Sequence, residues 1–106
     1  MTTETAAMTD KYILDDNGEP VPTADLQAWA AMFGDPRRIV SKSHSGGVTV
    51  STVFLGLDFS FGDGPPLLFE TMIFGGPHDQ YQERYTTRAE AIAGHTKAEQ
   101  LAGVRT

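Results

Sequence analysis

Cysteine is missing altogether from the 106 residues, which removes disulfides, thiolate nucleophiles and cysteine-held zinc or iron–sulfur centres together. Positive charge is scarce: eight Lys and Arg against fourteen Asp and Glu leave a formal net charge of −6. Nucleic-acid and anionic-membrane surfaces need clustered positive charge, so neither is expected here. No apolar run approaches the roughly 18 residues of a membrane helix. The opening MTTETAAMTD lacks the charged start and apolar stretch of a secretory signal. A cytoplasmic location is therefore expected. Histidine is also thin. His44, His78 and His95 are far apart, with no HxH or HExxH pair, so no metal and no cofactor are expected. The acidic run from Asp58 has Asp63 and Phe69 where a calcium loop needs Gly and Glu. No GxSxG surrounds any serine, and neither Gly-Gly pair leads into Lys-Ser/Thr.

What is present suits one folded domain. Hydrophobic residues are 40% and charged residues 21%, enough apolar surface for a modest core. Residues 1–10 have no period and are expected to be a flexible arm, leaving 11–106 as a single α+β domain. Tyr12-Ile13-Leu14 reads as a short strand, followed by the turn Asp15-Asp16-Asn17-Gly18. Leu26, Trp29, Ala30 and Phe33 fall at i, i+3, i+4 and i+7, which predicts a helix over 23–33 with Thr23 as N-cap and that face in the core. Strands are expected over 37–45, 48–57 and 67–74, the first two joined at Gly46-Gly47. Gln82 to Thr86 is a further short candidate. Thr87-Arg88-Ala89-Glu90 is a capping box that opens a last helix to about Ala102. Ala91, Ala98 and Ala102 share a stripe with His95 there, small enough to lie close to a sheet. The expected fold class is α+β, an antiparallel β-meander with two helices in the order β-α-β-β-β-α.

Alternation in Leu67 to Phe74 puts Leu68, Glu70, Met72 and Phe74 on one face and Leu67, Phe69, Thr71 and Ile73 on the other. If the first face is core, Glu70 is a semi-buried acid in need of a partner. If the second is core, Leu68, Met72 and Phe74 make an apolar surface around one charge, a form that suits binding. Strand 48–57 also carries large apolar groups on both faces, and two helices are few to cover both sides. That double-sidedness points to association with a partner protein or a second copy. Leu68, Glu70, Met72 and Phe74 are the first candidate binding residues; Phe59 and Phe61, in the Gly/Pro-rich loop 58–66, are the second. The competing reading is a small enzyme or ligand-binding domain with Glu70, His44 and Asp58 around a pocket.

The runs GGVTVSTVFLGLD at 46–58, GDGPPLLFETMIFGGP at 62–77, ERYTT at 83–87 and EAIAGH at 90–95, with KYILDDNGEPVP at 11–22, resemble a family of small bacteriophage- and prophage-encoded hypothetical proteins. The resemblance spans about 11–102 and brings no catalytic residue with it. It implies a phage or mobile-element setting. The expected function is that of a small acidic accessory protein acting by protein–protein interaction, for example on a host or defence protein; a minor virion component is a further alternative.

Overall fold

The computed structural model of the chain describes residues 10–60 and 64–104. Of the expected arm, only Asp10 falls among them, and Phe61 lies outside them.

Two short strands, β1 (Tyr12–Leu14) and β2 (Pro20–Pro22), form an antiparallel hairpin with Ile13 opposite Val21. Asp15 closes its turn: the carboxylate accepts from the backbone N–H of Asn17 and Glu19 at 2.8 and 2.9 Å. The prolines of β2 have no N–H to donate and suit this two-stranded edge.

Helix α1 (Leu26–Met32) is shorter than its sequence pattern suggests. Asp25 is its N-cap, accepting from Gln27 and Ala28, while Thr23, two residues earlier, accepts from the N–H of Asp25. The expected apolar face is corrected as well. Met32 is buried, but Leu26 is 62% and Phe33 43% exposed, and Trp29 is half-buried. The period is right; the core under it is taken. The last helix occupies the main sheet, so α1 rests on β1 through Met32 and reaches Gly56 through Trp29, whose Nε1 donates to the Gly56 carbonyl at 2.8 Å. Lys11 and Arg38 lie 5.4 Å over the Trp29 and Phe33 rings, so cationic stems cover part of what the core does not.

A 3-10 turn at Pro36–Arg38 leads into the main sheet. Its strands β3 (Ile39–Ser45), β4 (Val48–Phe54), β5 (Phe69–Phe74) and β6 (Gln82–Tyr85) stand in sequence order and pair antiparallel throughout. The β3–β4 turn needs two residues with positive φ, and Gly46 and Gly47 supply them at 57° and 81°. A bulge between Ile39 and Ser41 leaves Val40 as the extra residue, packed against the core. Helix α2 (Arg88–Ala102) crosses one face and touches all four strands. Its capping box is formed as expected, with Thr87 as N-cap, and Gly103 ends it. The class is therefore α+β with antiparallel sheets. Relative to the expected order, Pro20–Pro22 adds a strand before α1, and Gln82–Tyr85 forms the fourth strand of the meander.

The register dictates the core. Val50 stands opposite Ile73, Thr52 opposite Thr71, and Phe54 opposite Phe69, all facing α2. From the helix, Ala91, Gly94, His95 and Ala98 meet them at i, i+3, i+4 and i+7. Two apolar clusters result. One gathers Phe54, Phe69, Leu14, Met32, Leu68, Tyr85 and Ala91; the other gathers Val50, Ile73, Ala98 and Val104. A polar belt, Ser43, Thr52, Thr71 and His95, runs between them.

Candidate functional site

Every second residue of the meander points away from α2, and among the described residues Phe59 of the 58–60 loop reaches over that face at Arg84. Pairing arranges these side chains in three rows. His44, Thr49 and Phe74 form the first; Lys42, Ser51, Met72 and Gln82 the second; Ile39, Val53, Glu70 and Arg84 the third. Phe74 is 42% and Ile39 52% exposed, and Met72 and Val53 are half-buried. Burying such side chains stabilises an association by roughly 25 cal/mol per Å² of apolar area.

Glu70 is held at one edge of this face. Its Oε2 accepts from Arg84 Nε at 3.0 Å and from the side-chain amide of Gln82. The Arg84 guanidinium in turn lies 4.6 Å over the ring of Phe59, which is 37% exposed. Phe59, Arg84 and Glu70 thus make a continuous stack from the 58–60 loop onto the sheet. Leu68 departs from expectation. It precedes β5, where strict alternation has not begun, and is 3% exposed in the cluster with Phe69. Of the expected binding residues, Glu70, Met72, Phe74 and Phe59 come together on or beside one face; Leu68 does not join them.

The Glu70, His44 and Asp58 pocket is not assembled. His44 shares its Nδ1 with Thr49 Oγ1 at 2.7 Å, in a different row from Glu70. Asp58 is committed to its loop, its Oδ1 accepting from the N–H of Ser60 at 2.8 Å and of Leu67 at 3.0 Å. Burial pushes its carboxyl up, but the bonds from Ser60 and Leu67 outweigh it and hold the group below the usual carboxylate range.

A different Glu–His pair does form, on the other side of the sheet. His95 Nδ1 lies 2.7 Å from Thr52 Oγ1, and Nε2 lies 2.9 Å from Ser43 Oγ. Ser43 donates to the Glu99 carboxylate, whose Oε2 is 3.4 Å from the same Nε2. Thr52 and Thr71 share a bond of 2.5 Å. Burial pushes His95 down, and the nearby Glu99 offsets this only in part, so the ring is neutral at pH 7. Proton counting then orders the network. Ser43 has one hydroxyl proton and gives it to Glu99, so Nε2 must donate to Ser43. Nδ1 is bare and accepts from Thr52, which accepts from Thr71.

That order is the reverse of a nucleophilic triad. A triad aims the serine proton at a bare ring nitrogen and sets the acid on the opposite nitrogen. Here the serine proton faces the acid, and the acid sits beside the nitrogen that already carries hydrogen. Ser43 is also only 4% exposed. Glu99 alone of this group reaches the surface, at a cleft of about 360 Å³ that it lines with Gln100, Gly103 and Val104. The network holds α2 on the sheet. The sequence signals for it are His95 on the alanine stripe and Glu99 at i+4 from it; Ser43 carries none, because His95 and Glu99 lie more than 50 residues away.

Among the described residues, no group of three or more His, Asp or Glu is placed to hold a metal ion, and no helix is long and apolar enough to cross a membrane. Comparison with protein-family models, with curated proteins and with solved structures finds no match.

Proposed function

We propose that this chain is a small acidic accessory protein of bacteriophage or mobile-element type, and that it acts by protein–protein association through the open face of its meander. The observation that carries this reading is the one-sided covering of the sheet. α2 buries Val50, Phe54, Phe69 and Ile73 of β4 and β5, while Ile39 of β3 and Met72 and Phe74 of β5 face outward on the other side. Phage-type setting rests on the resemblance of the 46–58 and 62–77 runs, and action on a host or defence protein follows from that setting. Chemistry at Ser43, His95 and Glu99 is disfavoured by the direction of their hydrogen bonds.

Native affinity purification from the producing cell tests the reading. The chain is expected to recover a stoichiometric protein, a second copy included. Met72→Lys and Phe74→Asp should lose it while keeping the circular dichroism and melting temperature of the parent, because a charge at a dry interface centre must be desolvated without a partner. Recovery unchanged in both variants would refute the assignment of this face.

A further inference from the structure

We infer that His95 is the catch of an acid-sensitive latch: when its ring takes up a proton, residues 95–104, the later part of α2 and its C-cap, lift from the meander while the rest of the fold stays closed. The layout of the core is the first argument. The polar belt of Ser43, Thr52, Thr71 and His95 divides the helix side of the sheet into two apolar clusters, and His95 marks the division on α2. Before it, Ala91 packs into the larger cluster with Phe54, Phe69 and Tyr85, and the capping box of Thr87 and Glu90 fixes the start of the helix. After it, Ala98 and Val104 are the two buried residues that close the smaller cluster over Val50 and Ile73, and Leu101 is 42% exposed. Two small side chains bury little apolar area, so the bonds of His95 and Glu99 to the sheet carry much of the hold on this end.

Those bonds are the ones that a proton undoes. The neutral ring accepts from Thr52 at Nδ1 and donates to Ser43 from Nε2. A proton on Nδ1 meets the Thr52 proton head-on, and Thr52 can turn toward Thr71 only if Thr71 turns its own proton away. The new charge also lies out of water, since the His95 side chain is 5% exposed. Its compensating partner is Glu99, with Oε2 at 3.4 Å from Nε2. That pair is i,i+4 within α2, so it travels with the helix and survives the lift. Protonation thus weakens contacts between helix and sheet and strengthens one inside the helix. Among the described residues, the charged and titratable groups around the ring are Glu99 and Lys97 of α2 and Glu83 and Tyr85 of β6; β3, β4 and β5 bring Ser43, Thr52 and Thr71. Of these residue types, only histidine ordinarily changes charge between about pH 8 and about pH 5. Burial, offset only in part by Glu99, holds the docked ring below its ordinary value, whereas a lifted ring returns toward about 6.5. The lifted form therefore takes the proton more readily and gains population as pH falls through that range. Val50 and Ile73, fully buried in the closed form, then meet water.

Amide exchange of the whole chain, read residue by residue by NMR at about pH 7.5 and about pH 5 and corrected for intrinsic rates, tests this. In the parent, amides 98–104 should lose protection at least about tenfold at the lower pH, while 50–54 and 91–94 keep theirs. His95→Gln keeps a donor and an acceptor but takes no proton in this range, and it should not show the loss. Equal loss at 50–54 and 98–104 overturns the latch, because it reports unfolding of the whole domain. No loss at 98–104 overturns it as well, and so does a His95→Gln variant that opens as the parent does. If His95→Gln does not fold, the NMR titration of the His95 ring in the parent decides: its midpoint should coincide with the midpoint of exchange at 98–104, and a separation of the two overturns His95 as the trigger.

Discussion

Gly94 lies in the middle of α2, where glycine is ordinarily a loss of about 1 kcal/mol against alanine. Propensity alone therefore recommends Gly94→Ala. The packing forbids it. A Cβ built on Gly94 would stand 2.1 Å from Tyr85 Oη, 2.2 Å from Cζ and 2.5 Å from Cε1. Contacts of ordinary size need more than an ångström of relief. Tyr85 is 8% exposed on β6 and belongs to the apolar cluster with Phe69 and Ala91, so the ring has little room to retreat. If α2 lifts instead, the bonds of His95 to Ser43 and Thr52 lengthen, each worth about 1 kcal/mol net. Overpacking of this kind costs roughly 1–3 kcal/mol, and with strained belt contacts the net loss should be about 2–4 kcal/mol after the helix gain is subtracted. For a domain of this size that is a fall in melting temperature on the order of 10–20 °C. Urea unfolding of Gly94→Ala, Tyr85→Ala and the double variant measures it as a cycle. Tyr85→Ala alone should lose about 3–5 kcal/mol, and Gly94→Ala in that background should be neutral or gain up to about 1 kcal/mol. A neutral or stabilised Gly94→Ala in the parent would refute the close approach of α2 to β6.

Other outcomes follow from the same contacts. His95 has a folded pKa pushed down, first by burial and only partly restored by Glu99. Stability from this group is therefore complete above the ordinary value of about 6.5, and falls as pH drops from there toward the depressed folded value. Urea midpoints between pH 8 and 5 should decline for the parent, and the decline should shrink in His95→Gln. Met32→Ala should cost about 2–5 kcal/mol, whereas Leu26→Ala, at 62% exposure, should stay within about 0.5 kcal/mol by the same unfolding assay. Trp29→Ala should fall between them, at roughly 1–3 kcal/mol, since only part of the ring is buried and one hydrogen bond is lost. Gly75→Ala should destabilise the meander, because the new Cβ would sit 2.3 Å from the Gly47 carbonyl oxygen at a φ of 90°; amide exchange in the β3–β4 turn should rise.

Local rules made α2 and the meander legible. The Thr87 capping box, the Gly46-Gly47 turn and the alternation of 48–54 act within a few residues, and each stands as the sequence indicates. α1 shows where local rules end. Its period is helical, yet which side is buried depends on how much core remains after α2 has docked, and that is a property of the whole chain. Leu68 shows the same limit at smaller scale: alternation assigns a face only inside a strand, and β5 begins one residue later. On the open face, the alternation of Glu70, Met72 and Phe74 was readable, but the partners of Glu70 were not. Gln82 and Arg84 lie twelve and fourteen residues on, and only the β5–β6 register brings them beside it. The belt was the least legible of all, because a buried histidine among alanines does not say which serine or threonine will answer it.

The place of α2 in the chain has a consequence for how the molecule is made. β6 ends at Tyr85 and α2 at Ala102, so a ribosome must add a further stretch of chain before the helix exists to cover the sheet. Until α2 docks, the helix side of the meander faces water. During that interval Phe54, Phe69, Val50 and Ile73 face solvent on one side while Ile39, Met72 and Phe74 do so on the other. Before docking, the sheet is sticky on both sides. Thr52, Thr71 and Ser43 divide the helix side into two separate apolar islands, and Lys42 guards the free edge of β3. The polar residues that later anchor His95 thus also keep the unfinished sheet from presenting one unbroken hydrophobic plane to its neighbours on a polysome.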